Sequence, residues 1–78
     1  MRASEARLLK TFGRSVRRAR KQLGIPQEAL AEYAHLSRNY ISDVERGVRN
    51  PGLVTIVRLA RALKISPKDL LGEIDTAV

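Results

Sequence analysis

Apolar positions recur along the chain at steps of three and four. Leu9, Phe12, Val16, Ala19 and Leu23 form one such stripe, while Arg14, Arg17, Arg18 and Lys21 occupy the other sides of the same segment. Spacing of this kind is one face of an α-helix. It predicts a first helix over about residues 6–23, closed by Gly24 as a C-terminal glycine. Gly13, inside it, costs the helix about 1 kcal/mol relative to alanine. Pro26 sets the start of the next segment and restricts Ile25 to an extended conformation. Leu30, Ala31 and Ala34 then make the inner face of a second helix, about Gln27–Ala34. Only His35, Leu36 and Ser37 separate it from a third, Arg38–Arg46, with Ser37 as N-cap, Tyr40, Ile41 and Val44 pointing inward, and Gly47 as the stop.

Asn50, Pro51 and Gly52 break the chain again. A fourth helix is expected over about residues 53–64, with Ile56, Leu59, Ala60 and Leu63 inside. Ser66, Pro67 and Asp69 then read as a helix start: a serine cap, a proline at the first position, and an acid three residues after the cap. The fifth helix is short, about residues 67–71, and Gly72 ends it. No useful stretch alternates with period two, and no Asn-Gly or Asp-Gly hairpin turn occurs. The expected fold is all-α: one compact five-helix domain spanning the 78 residues, with a core over about residues 7–72 and short flexible ends.

Composition narrows the chemistry. With no cysteine and one histidine there is no disulfide and no thiolate cage, so no metal site is expected. Stability must come from aliphatic packing or from association. The net charge of +7 favours a polyanionic partner. Eleven of the fifteen Lys and Arg precede Asn50, against five of the eight acids, so the first two-thirds carries +6 and the rest +1. A membrane surface is the rival polyanion, but an interfacial helix needs bulky aromatics. This chain has one Phe, two Tyr and no Trp, and no apolar run near the ~20 residues of a span. The expectation is a cytoplasmic protein with no membrane partner. There is no Cys nucleophile, no glycine-rich phosphate loop and no partner that makes a triad with the lone His35, so no enzyme, cofactor or small-molecule ligand is expected.

The two helices joined by a three-residue turn carry more. Ala31 is small enough for the third helix to cross close to the second. Leu36 plugs the turn, and Ile41 and Val44 seal the third helix onto the core. Its exposed edge then carries Arg38, Asn39, Ser42 and Asp43. Arg and Asn are the side chains best shaped for bidentate contact with guanine and adenine edges. A short helix presenting them near its N-terminal end fits the docking geometry of a helix-turn-helix.

Over about residues 12–71 the chain resembles the phage-repressor-like helix-turn-helix regulators, the Cro/CI or XRE type. The carriers are Gly13 through Arg20, then Leu23-Gly24-Ile25-Pro26-Gln27-Glu28-Ala29-Leu30-Ala31, Leu36-Ser37, Tyr40-Ile41-Ser42 and Val44-Glu45-Arg46-Gly47. Asn50-Pro51 and Leu59-Ala60-Arg61-Ala62-Leu63 complete them. The resemblance implies that Arg38, Asn39 and Asp43 read bases in double-stranded DNA and that Ser42 touches a base or a phosphate. It implies that Gln27 grips a phosphate, that Arg46, Arg49 and Asn50 meet the backbone, and that Arg20 and Glu45 tie the first helix to the third. Arg17 is a further candidate for phosphate contact. Two positions depart from the family pattern. Pro26 stands where a Thr or Ser usually caps the second helix, and His35 stands where glycine is common because the turn favours a left-handed backbone.

A stand-alone chain of this size resembles phage repressors and restriction–modification controllers acting on a two-fold symmetric operator. An antitoxin-like module that binds a toxin and regulates its own operon is the alternative, and a non-specific nucleic-acid binder a third. One short reading helix makes too little contact alone, so a homodimer is expected. Leu53, Val57, Leu70 and Ile74, in the nearly neutral last third, are the candidates for its interface, alongside Val54 and Leu71.

Overall fold

Each helix is bounded by an identifiable local device. The computed structural model describes residues 2–74, and its regular elements are α1 (Ala3–Leu23), α2 (Gln27–Ala34), α3 (Arg38–Arg46), α4 (Leu53–Ala62) and α5 (Pro67–Leu70). No strand occurs among the described residues. The ends expected beyond the core are residues 1–6 and 73–78; of these, 1 and 75–78 lie outside the described residues, and Ala3 to Ala6 belong to α1. α1 starts three residues earlier than expected, because the Ala6 amide already donates to the Arg2 carbonyl (3.0 Å) and Glu5 sits favourably in the first turn. It ends at Gly24, whose left-handed backbone (φ 75°) turns the Ile25 amide back to the Arg20 carbonyl.

α2 follows Pro26 with no side-chain cap, as the absence of a hydroxyl there implied. It ends at His35, a non-glycine residue in the left-handed region (φ 58°). The Ser37 hydroxyl accepts from the Tyr40 amide at 3.0 Å, which starts α3. α4 stops at Ala62, two residues short of expectation. Lys64 takes the left-handed position there (φ 61°), and the Ile65 amide closes the turn on the Ala60 carbonyl. The Ser66 hydroxyl caps α5 by accepting from the Asp69 amide at 3.0 Å.

Apolar side chains from all five helices meet in one core: Phe12 and Val16, Leu30, Ala31 and Ala34, Ile41 and Val44, Leu59 and Ala60, Leu63 and Leu70. Each fully buried Leu or Ile contributes about 1.5–3 kcal/mol. Leu36 and Tyr40 are half-buried against this core. α3 packs chiefly on α1 and α2, and α2 also on α4, so the α2–α3 pair is held by α1 on one helix and by α4 on the other. Leu23 departs from its expected inner place and is only half-buried, lining an open cleft with Ile25 and Tyr33.

The candidate interface residues divide. Leu53 is 75% exposed and Val54 65%, and Val57 is half-buried. Leu70, expected at an interface, is instead 1% exposed inside the protomer. The four-residue α5 has one buried position, and Leu70 fills it. Ile74 is half-buried against the same core.

Candidate nucleic-acid interface

The three residues between α2 and α3 set the angle of α3. His35 reverses the backbone, and the Leu36 amide donates to the Ala31 carbonyl at 2.8 Å while the Leu36 side chain packs inward. Along α3, Ile41 (0% exposed) and Val44 (1%) lie in the core. Arg38 and Asn39 are exposed, and Ser42 and Asp43 half-buried. At 3.6 residues per turn, Arg38, Asn39, Ser42, Asp43 and Arg46 share less than half the circumference of the helix, opposite Ile41 and Val44. Neither Arg38 nor Asn39 makes a side-chain hydrogen bond or ion pair among the described residues.

The buried side of α3 is locked to α1 in two ways. The first is steric. A Cβ at Gly13 would lie 2.4 Å from the Val44 carbonyl oxygen and 2.7 Å from that of Glu45. One at Gly47 would lie 2.7 Å from the Lys10 Cα, and Gly47 also needs its left-handed backbone (φ 77°) to end α3. Two glycines, one in each element, thus let the backbones touch.

The second is ionic. Arg20 Nε donates to Glu45 Oε2 at 2.7 Å, and its Nη2 to Oε1 at 3.0 Å, a two-pronged pair. The side chains are 12% and 4% exposed. A third donor, Arg20 Nη1, reaches the Ile25 carbonyl at 2.9 Å, so the same guanidinium also holds the segment before α2. Hydrogen bonding to Glu45 raises the Arg20 pKa above its ordinary value, against the opposing effect of burial. Gln27 joins this cluster: its Nε2 donates to Glu45 Oε1 at 3.1 Å. Glu45 is therefore the point at which α1, α2 and α3 are joined.

On the outer side of α3 the charges also pair. Asp43 accepts from Arg46 Nη2 at 2.6 Å and faces Arg49 Nη2 at 3.5 Å. The Arg49 guanidinium lies over the Tyr40 ring, 4.8 Å from its centre. The hydrogen bond from Arg46 is the largest of the causes that hold the Asp43 carboxyl below its ordinary pKa. Arg17 and Asn50 are exposed and stand apart from this network.

The structure thus gathers Arg38, Asn39, Ser42, Asp43, Arg46 and Arg49 on or beside one helix face, with Gln27 tethered behind it. The bond from Gln27 to Glu45, the grip of Asp43 on two arginines and the glycine crossing were not read from the sequence. The i,i+3 spacing of Asp43 and Arg46 is a usable signal for one of them, and a glycine inside a strongly patterned helix is a signal for another.

A short helix held on one side and presenting Arg and Asn on the other has the form of the second helix of a helix-turn-helix, and the chain belongs to the helix-turn-helix family of DNA-binding transcription regulators, of the XRE type, which matches residues 16–70. Its relatives include control protein C.BamHI of Bacillus amyloliquefaciens, 48% identical over 61 residues that cover 77% of this chain and 75% of that protein. The immunity repressor of Bacillus phage phi105 is 41% identical over 63 residues, 81% of this chain but 44% of the repressor. Among solved structures, the restriction–modification controller C.AhdI from Aeromonas hydrophila superposes with a TM-score of 0.76 at 48% identity, over 81% of this chain and 94% of that one.

Proposed function

We propose that this chain, as a single cytoplasmic domain, is a sequence-specific regulator that binds a two-fold symmetric operator as a homodimer. The observation that carries the reading is the division of α3. Ile41, Val44 and Glu45 are engaged inside the protomer, whereas Arg38 and Asn39 are exposed with no partner among the described residues. In this reading Arg38, Asn39, Ser42 and Asp43 contact base edges. Gln27, at the N-terminus of α2, contacts a phosphate with the support of the helix dipole. Arg46, Arg49, Asn50 and Arg17 contact further phosphates.

The exposed apolar side chains Val48, Leu53 and Val54 support a homodimer. They cluster in sequence around the start of α4, with Val57 one turn on, and such a patch on a small soluble domain favours burial by a partner. The test is selection of duplexes from a random pool with the full chain. The expected result is a palindromic consensus whose half-sites lie about one helical turn apart. Enrichment of an asymmetric site, or of none, would refute the operator model.

A further inference from the structure

The exposed side of α3 contains one acid, and its position is unfavourable for a protein that approaches a polyanion. Asp43 lies on the same face as Arg38 and Asn39, and its two oxygens face Arg46 and Arg49, at 2.6 and 3.5 Å. The arrangement has a second support, since Arg49 lies over Tyr40, one turn before Asp43. Two of the cations nearest the reading face are thus directed inward, toward a carboxylate on α3.

We propose that Asp43 is a specificity-determining residue that acts by penalising wrong DNA: it holds Arg46 and Arg49 away from phosphate until its carboxylate meets a donor on a base edge. On an arbitrary duplex, each arginine must leave a carboxylate to reach a phosphate. The Asp43 charge, stripped of its counterions, is then pressed against the polyanion. Like charges brought together in this way disfavour the wrong complex more than they weaken the right one. On a site that opposes Asp43 with the exocyclic amino group of cytosine, the carboxylate accepts a hydrogen bond. That bond replaces the arginines, which swing to the backbone. The acid therefore lowers affinity for DNA in general and is compensated only where the sequence is right.

This inference rests on the DNA-binding reading, and the experiment separates the two. Binding of the full-length chain to a random-sequence, non-palindromic duplex is measured at low and moderate salt for the wild type, Asp43→Ala and Asp69→Ala. Asp69→Ala makes the same change of net charge on α5, away from the reading helix. Thermal melts confirm that each variant is folded. The proposal expects Asp43→Ala to bind the random duplex about three- to tenfold more tightly than the wild type at low salt, with the gain shrinking as salt rises. Asp69→Ala should change it less than twofold. Selection from a random pool should then show Asp43→Ala losing its preference at the base opposite position 43. Equal gains for the two variants would reduce Asp43 to bulk charge and overturn the proposal. So would unchanged or weaker random-duplex binding by Asp43→Ala, which would make the acid solely a base reader or a structural residue. Failure of the wild type to bind any duplex would instead remove the DNA-binding reading, and this inference with it.

Discussion

Replacing Gly13 by alanine sets two opposite effects against each other, and the structure decides the sign. On helix propensity alone the change stabilises α1 by about 1 kcal/mol. The added methyl, however, would stand 2.4 Å from the Val44 carbonyl oxygen, and contact becomes ordinary only at 3.4 Å. α3 would have to withdraw by about 1 Å, and interiors packed to crystal density do not give that freely. The obstacle is helix backbone, not a flexible side-chain tip, and Val44 beside it is 1% exposed. Overpacking of this kind costs about 1–3 kcal/mol. Lengthening the Arg20–Glu45 hydrogen bonds across the same crossing adds about 1–2 kcal/mol. After the propensity gain, Gly13→Ala should destabilise the fold by about 1–4 kcal/mol. Urea unfolding followed by circular dichroism measures it, as a lower midpoint at unchanged slope. Gly24→Ala is the control: apart from its own chain neighbours no atom of the described residues lies within 4 Å of its Cβ position, and only the left-handed backbone (φ 75°) is strained, for about 1–2 kcal/mol. A Gly13→Ala protein as stable as the wild type would refute the close crossing of α1 and α3.

Three further outcomes are expected. Arg20→Ala should destabilise more than Glu45→Ala, because it strands a carboxylate that is 4% exposed with only Gln27 as a partner, whereas Arg20 left alone keeps the Ile25 carbonyl. Each single change should cost about 2–4 kcal/mol and the double mutant less than their sum, by a thermodynamic cycle on folding stability; strict additivity would contradict the pair. Arg38→Ala should cost about 1–3 kcal/mol of operator affinity and relax one or two positions of the selected consensus, while Arg17→Ala, exposed and apart from Asp43, weakens all duplexes about equally. A consensus untouched by Arg38→Ala would displace the reading head. Leu53→Glu should shift sedimentation toward monomer and weaken operator binding without lowering the melting temperature, since Leu53 is 75% exposed and an acid suits a helix N-terminus; a dimer that survives the change would move the interface elsewhere.

The bounds of α2 and α3 were legible to the residue, because proline, serine and glycine mark three of their four ends by local chemistry alone. The end of α4 was not. Lys64 adopts a left-handed backbone with no glycine to announce it, so the apolar period runs on two residues past the end of the helix. Leu70 was misplaced for a different reason: four residues are too few for a period to tell the inner face from the outer. The ends of the Arg20–Glu45 pair were readable only through the family resemblance. The tether from Gln27 to Glu45 and the fit of Gly13 against Val44 depend on where distant segments meet, which neither propensity nor spacing encodes.

The division of α3 has a consequence for how such a protein diversifies. Positions 41, 44 and 45 carry the attachment to the rest of the molecule, while Arg38, Asn39 and Ser42 make no side-chain hydrogen bond or ion pair among the described residues. Substitutions at 38, 39 and 42 therefore leave folding nearly untouched. On the proposed reading of α3, the chain can then exchange one recognised sequence for another in single steps, through intermediates that remain folded. Position 43 is not free in the same way, because a change there also releases Arg46 and Arg49. New specificities should therefore accumulate first at 38, 39 and 42, with Asp43 the last of the four outward positions to change.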